Sequence, residues 1–421
     1  MYIMLKEEHM ARLRRSFVAS ALIFTLVAAP ITVRHSYSAG NATIQFLTPP
    51  WGIPANQQAL KAFERQSGVT VQITSVPMAQ LYSKVQVASA AHRSPADVIF
   101  LTEEAPSNIV GAQDVQSLNS LISATPGLNT KDIQRLSFWN VGGQQYGVTS
   151  YVQLVMLDYN AAKLRKAGYA TPRSWDELNS EAMAVKKKGI DNYPVAMAAS
   201  DWSWYLMALS MGDPMFDTKL NPTFTAKNSA GRRAMALLIK FYKEGLISPT
   251  ELTQPTPHVQ YESGVGAFHQ SWEGALAVMN NPKISKQAPN VRYMLLPDKH
   301  NTWSLDAGLG ISTHSTNVQA AWTFIQWYLQ PAQQRDIYNA YGLIPSRLSV
   351  QKSLAIQGAD VIDQQSRYVH QLPRYASWWG TWTSAVTQDV RKGFVGQMNS
   401  DQIIDDLGAQ WNNLRGQYSG H

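Results

Sequence analysis

The side chains in this chain best suited to chemistry are flat rings set beside polar groups, not nucleophiles set beside bases. Trp51 stands in Pro49-Pro50-Trp51-Gly52, and Trp202 and Trp204 follow Asp201. Trp272 lies between Ser271 and Glu273, and Trp378, Trp379 and Trp382 cluster towards the C-terminus. A sugar ring presents an apolar face of C–H groups and a rim of hydroxyls. Aromatic faces with carboxylates, amides and arginine at their edges match both. Trp322 and Trp327 differ, because they share a helical stripe with Phe324, Ile325, Tyr328 and Leu329 and so read as core. Trp139, Trp175, Trp303 and Trp411 are likewise assigned to packing.

Catalysis finds no comparable constellation. The histidines are scattered, with no HExxH and no cysteine partner. There is no GxSxG elbow, no Walker loop and no GxGxxG after a strand, and Gly264-Val265-Gly266 stands alone as a turn signal. Glu103 and Glu104 are adjacent at a strand end, where successive side chains point in opposite directions. Glycoside hydrolysis needs a carboxylate pair spaced across the scissile bond. The expectation is therefore a binding protein without catalytic residues, metal or cofactor. A secreted carbohydrate hydrolase or lyase is the alternative from another class.

The elements that must position these residues read as α/β. Thr43 to Leu47 and Thr70 to Val76 are expected strands, and Asn56 to Arg65 and Ala79 to Ala91 expected helices. Ala96 to Leu101 is a continuous apolar run, as in a strand buried on both faces. This βαβαβ order implies a parallel sheet with right-handed crossovers, and such sheets collect ligands beyond the carboxyl ends of their strands. Later segments are more helical: Ser174 to Lys188, Trp202 to Met211, Ser229 to Tyr242, Val318 to Tyr328, Ala332 to Ala340 and Ser400 to Leu414.

Arg12, Arg14 and Arg15 precede an uncharged, mostly apolar stretch from Phe17 to Val33, then small residues at Ser36, Ser38 and Ala39. This reads as a secretory signal peptide over residues 1–38, cleaved between Ser38 and Ala42. Five cations and two acids precede residue 39, so about +4 of the formal +7 belongs to the remainder. So thin an excess is no nucleic-acid footprint. The densest basic run, Lys186-Lys187-Lys188, sits at a helix C-terminus, where cations are favoured. The cysteine count is zero, which excludes disulfides, thiolate metal sites and a lipid-bearing cysteine. The chain beyond the signal segment is too long for one ordinary core and suits two domains.

The run from Gln144 to Leu178 (QQYGVTSYVQLVMLDYNAAKLRKAGYATPRSWDEL) resembles the lobe-crossing junction of the family 1 extracellular solute-binding proteins of ABC importers. Ser174 stands where that family usually has Thr, keeping a hydroxyl helix cap. Ser271 to Met279, Leu295-Leu296-Pro297, Asp306 to Ile311, Asn317 to Leu329 with Gln333-Gln334, and Gly342 to Arg347 follow in the family's order. The resemblance implies a two-lobed periplasmic binding protein fold of type II-like topology, with a ligand cleft between lobes. It places crossings near Ser150–Gln153, Leu295–Pro297 and Trp327–Pro331. One lobe is then 41–150 with 298–330, and the other 151–297 with 331–421.

By the same resemblance, Trp51, Trp202, Trp272 and Trp378 are cleft walls, with Asp201 beside Trp202. Glu104 is an acidic hydroxyl binder after the third strand, and Gln153 supplies a neutral amide on the crossing strand. One of Ser150 and Tyr151 faces the cleft. Asp306 and Gly308 lie on the return strand, where missing bulk lets backbone approach a ligand. Arg347 is the expected cleft cation, or else a salt bridge bracing the lobes. The implied function is a free, monomeric periplasmic binder of a saccharide or related polyol, delivering it to ABC transporter permease subunits. A polyol phosphate or other anionic solute is the alternative ligand, and a sensor role would use the same cleft.

Overall fold

Asn56 accepts a hydrogen bond from Ala59 N at 3.0 Å and so caps the helix Gln57–Ser67, which buries Leu60 and Phe63. The helix stops at Gly68, whose φ of +73° suits a residue without a side chain. The computed structural model describes residues 41 to 418, apart from 104, 106–108, 111, 112, 255, 375 and 377. The expected signal segment and Glu104 therefore lie outside the described residues.

The strands are β1 Ala42–Thr48, β2 Val69–Ser75, β3 Val98–Leu101, β4 Asn140–Val141, β5 Gln144–Gln145, β6 Val148–Val152, β7 Val155–Asn160, β8 Val195–Ala196, β9 Phe268–Trp272, β10 Val291–Met294, β11 Ala307–Ile311 and β12 Ile344–Pro345. The larger sheet has the order β12-β6-β11-β3-β1-β2, the smaller one β10-β7-β9-β8, and β4–β5 is a hairpin. β1 pairs parallel with both β2 and β3, as the βαβαβ run requires. β11, β6 and β12 then add antiparallel. Each sheet anchors one lobe.

The first lobe's core includes Phe46 against Phe324 at 5.2 Å and Phe63 stacked on Trp327 at 4.9 Å. Trp322 donates its indole N–H to Thr125 Oγ1 at 2.9 Å. Both tryptophans are thus packing residues, as their spacing implies.

In the second lobe the helices Asp201–Ser210, Ala230–Lys243, Trp379–Phe394 and Ser400–Tyr418 enclose Trp204, Tyr205, Phe216, Phe224, Trp379, Trp382 and Trp411. A buried indole N–H costs free energy unless bonded. Trp204 donates to Gly231 O at 2.8 Å, Trp382 to Leu407 O at 3.0 Å and Trp411 to Leu220 O at 2.7 Å. Ser174 caps the helix Trp175–Lys187 through Glu177 N at 3.1 Å. Lys186 donates to the carbonyls of Glu244 and Gly245, and Lys188 to that of Ala167, so these two lysines brace the C-terminal ends of neighbouring helices.

Chain crossings are tighter than expected. β6 runs on to Val152, so only Gln153 and Leu154 separate it from β7. Leu154 bridges Ser304 antiparallel, and Leu305 N donates to Gln153 O at 2.7 Å. Trp303 and Leu305 still pack in the second lobe's core, which moves the return crossing from Leu295–Pro297 to just before β11. The crossing expected at Trp327–Pro331 also moves. Ile337 packs in the first lobe's core and β12 pairs with β6, so the chain stays with that lobe through Arg347. It rejoins the second at the helix Ala359–Gln365, where Ile362 packs with Met156 and Tyr293.

Candidate functional site

The two adjacent crossing segments place a run of polar groups between the lobes. Asp306, fully buried just before β11, accepts from Gln153 N at 3.2 Å. Arg135 donates Nη1 to both its oxygens, at 3.1 and 3.3 Å. Burial holds Asp306 above the ordinary carboxylate value, against the pull of Arg135. Glu273, one residue past β9, accepts from Leu154 N at 3.0 Å, and burial pushes it up to about 7 despite Arg135.

From the first lobe comes Glu103, two residues beyond β3, whose carboxyl is raised by burial and lowered by Arg374. Arg374, from the second-lobe stretch before the helix Trp379–Phe394, reaches Glu103 Oε1 at 3.7 Å and donates to Ser304 O at 2.7 Å. Tyr151 on β6 sits 6.1 Å from Phe100, with the Trp51 side chain close to its hydroxyl. Burial raises this phenol first, and the nearby Glu103 charge second.

Trp51 rides on the 3-10 turn Pro50–Gly52 directly after β1. A side chain at Gly52 would come within 2.0 Å of Thr48 Oγ1 and 2.7 Å of Phe100, so the turn is pinned against the sheet. On the opposite lobe Asp201 opens the helix Asp201–Ser210 and exchanges hydrogen bonds with Thr387: its N donates at 3.2 Å, and its carboxylate accepts at 3.0 Å. Burial pushes Asp201 up to about 7, with the Thr387 bond and Arg374 opposing. Trp202 is half-buried and meets Trp303 edge-on at 6.3 Å.

Of the sequence-derived residues, Trp51, Tyr151, Gln153, Asp201, Trp202 and Asp306 belong to this assembly. Five others do not. Ser150 faces away from Tyr151 and donates to Ala307 O at 3.1 Å, inside the sheet. Gly308 is small for packing, since a Cβ there would lie 2.9 Å from both the Trp139 ring and Val148 O.

Arg347 braces the first lobe and is not a cleft cation. Its guanidinium donates to Leu329 O at 2.6 Å, Leu128 O at 3.1 Å and Asp132 at 3.3 Å. Trp272 donates to Gly342 O at 3.2 Å and packs against hydrophobic clusters of both lobes, so it is a joint residue. Trp378 packs on Trp411 at 5.5 Å and Tyr418 at 6.1 Å, within the second lobe's core.

Arg135, Glu103, Glu273 and Arg374 were missed as site residues. Glu103 was legible only as the neighbour of Glu104. Arg374 lies in Leu372-Pro373-Arg374, with no periodic pattern to mark it. Among the described residues, no group of three or more His, Asp or Glu is placed to hold a metal ion. Half-buried rings together with buried carboxylates and guanidinium groups can stack on, and hydrogen-bond to, a small polyhydroxy solute.

Comparison with known proteins bears on the same lobes. A profile described as "Bacterial extracellular solute-binding protein" matches residues 58–362. The diacetylchitobiose binding protein DasA of Streptomyces coelicolor is 24% identical over 224 residues, which is 50% of this chain and 52% of that protein. The chain spans about half the length of the first curated relatives it matches.

Maltose-bound MalE3 of T. maritima superposes with a TM-score of 0.77 at 19% identity, covering 89% of this chain and 100% of that one. An ABC transporter solute-binding protein from Agrobacterium vitis with bound D-mannitol also has a TM-score of 0.77, at 19% identity, covering 90% and 99%. These likenesses establish the fold, and the profile spans well over half of the chain. This protein belongs to the bacterial extracellular solute-binding family and has its two-lobed α/β architecture.

Proposed function

We propose that this protein is the periplasmic binding component of an ABC importer and that it binds a saccharide or related polyol. One observation carries the reading: Glu103, which stands with Trp51 and Tyr151 on the first lobe, pairs across the lobes with Arg374, which stands with Asp201 on the second, beside the Gln153–Asp306 crossing. A ligand lying there touches both lobes only when they are together, so binding shifts an open–closed equilibrium towards the closed form. The membrane permease then recognises that form. What the similar proteins are named for, diacetylchitobiose, maltose and D-mannitol, supports this ligand class. The signal-like N-terminus supports the periplasmic part of this reading.

A thermal-shift series with maltose, D-mannitol and diacetylchitobiose tests the proposal. A true ligand at a hundredfold over its dissociation constant adds about 2.7 kcal/mol of stability. It should be recovered chemically intact. No shift with any member, or reproducible turnover of one, overturns the reading.

A further inference from the structure

Away from the cleft, positive charge gathers at one end of the second lobe. The helices Ala161–Ala167, Trp175–Lys187 and Ala230–Lys243 end side by side there. Lys188 donates to Ala167 O at 2.6 Å, and Lys186 to Glu244 O and Gly245 O at 2.8 and 2.7 Å, which ties the three ends together. Sheet register says which end of the lobe this is. Val155 pairs with Trp272 beside the crossing, whereas Phe268 pairs with Tyr159 and Val195 at the far end of the sheet. Val195 N donates to Leu246 O at 3.0 Å, so the helix ends lie remote from the crossing and its cleft residues.

Arg165, Lys166, Lys187, Lys188 and Lys243 are all exposed at these ends. Among the described residues, no salt bridge engages any of them. The nearby acids are already taken, Asp191 by Lys163 at 2.6 Å and Glu244 by Lys240 at 3.8 Å. Helix dipoles favour cations at such ends, but Lys186 and Lys188 already meet the terminal carbonyls. Beyond residue 38 the formal excess is about +4, so these five cations account for it and the remaining charges nearly cancel.

The partner that this arrangement fits is a surface. A protein partner is held mainly by a few buried apolar or aromatic anchors. Tyr169, with Lys188 Nζ 5.8 Å from its ring centre, is the one exposed large apolar side chain described on these helices or just beyond them. An anionic bilayer needs no such anchors. Long cationic side chains reach its headgroups independently, each worth about fivefold in partitioning, and a tyrosine ring suits the headgroup level.

We propose that this end of the second lobe is a docking surface for anionic phospholipid headgroups, through which the protein associates weakly and reversibly with a membrane while its cleft stays free. The proposal does not depend on the saccharide or polyol reading. Beside that reading, it adds that the carrier is concentrated at the membrane in which a permease would sit.

The test is flotation of the whole protein with vesicles of phosphatidylethanolamine containing about a third phosphatidylglycerol, against neutral phosphatidylcholine vesicles. The protein should float with the anionic vesicles, and its partitioning should fall by about fivefold or more between about 0.05 and 0.3 M salt. The triple variant Lys166→Glu, Lys187→Glu, Lys243→Glu should lose at least about tenfold in partitioning. Lys61→Glu, Lys84→Glu, Arg93→Glu makes the same change in net charge on exposed residues of the first lobe and should lose less than about threefold. Both triple variants change only exposed side chains and should melt with the wild type. No flotation at low salt overturns the proposal, and so do equal losses in the two triple variants, which would mean net charge without a defined surface. Equal, salt-insensitive binding to neutral vesicles overturns it in favour of the apolar stretch Phe17 to Val33. Retention on immobilised polyglutamate without binding to vesicles overturns it in favour of an acidic protein partner.

Discussion

Two groups of aromatic residues can be set side by side. In the second lobe, Trp379, Trp382 and Trp411 are almost wholly buried, pack ring against ring at 5.1 to 6.2 Å, and two of them donate their indole N–H to a backbone carbonyl. At the crossing, Trp51 and Trp202 are half-buried, and their neighbours include Tyr151, Asp201 and Trp303. The first group is closed on itself and supports the fold. The second keeps open ring surface beside polar groups. Ring identity is the same in both, so function follows from what surrounds the ring.

The comparison breaks most visibly if a core ring can be removed cheaply. Trp382→Ala should cost about 3–5 kcal/mol of stability by leaving a cavity, while the folded fraction keeps its ligand affinity. Trp378→Ala should fall on the same side, melting early and binding normally. Urea denaturation with calorimetry on each variant checks both, and lost affinity at an unchanged melting point would return Trp378 to the cleft.

Buried acids sharpen the comparison by a second route. Glu251, fully buried in the second lobe, is pushed up to about 8 by burial, from an ordinary 4.5. A carboxyl raised on folding gives its full contribution to stability below the unfolded value. That contribution is lost as pH rises through the folded one. Stability should therefore decline between about pH 4.5 and 8, by about 2–4 kcal/mol from Glu251, and Glu251→Gln should flatten the profile. Asp201 and Glu273, both raised to about 7, act in the same direction. Their share should change when ligand is present and that of Glu251 should not, as melting curves taken across pH would show.

Smaller effects belong to the open rings. Trp51→Ala and Trp202→Ala should each weaken ligand binding by about 1–3 kcal/mol and leave the empty protein's melting temperature nearly unmoved. The smallest is Ser150→Ala, which removes the bond to Ala307 O. It should lower stability by about 0.5–1.5 kcal/mol without touching affinity, although Tyr151 beside it faces the site. A binding defect in Ser150→Ala would mean that the strand presents its other face.

Much of the fold was readable along the chain because its signals are local. The apolar run Ala96 to Leu101 contains β3, Asn56 and Gly68 bound a helix, and Ser174 caps another. The stripe holding Trp322 and Trp327 announced core packing, and the ordered string of short motifs pointed to the family and to two lobes. Among the site residues, the ring after β1 and those near the crossing strand were legible for the same reason, as they sit at ends of recognisable elements.

Tertiary structure alone decided how charge is matched. Arg347 and Arg374 are both 8% exposed, and nothing in the sequence around either says which braces a lobe and which faces Glu103. Gly308 looked like room for a ligand and is room for Trp139. Trp378 looked like a stacking ring and is covered by the C-terminal helix through Trp411 and Tyr418. Periodicity and capping are properties of neighbours in sequence, so a single chain displays them. Ion pairing and close packing depend on partners brought together from distant segments, and they exist only once the two sheets, the crossings and the last helix are in place.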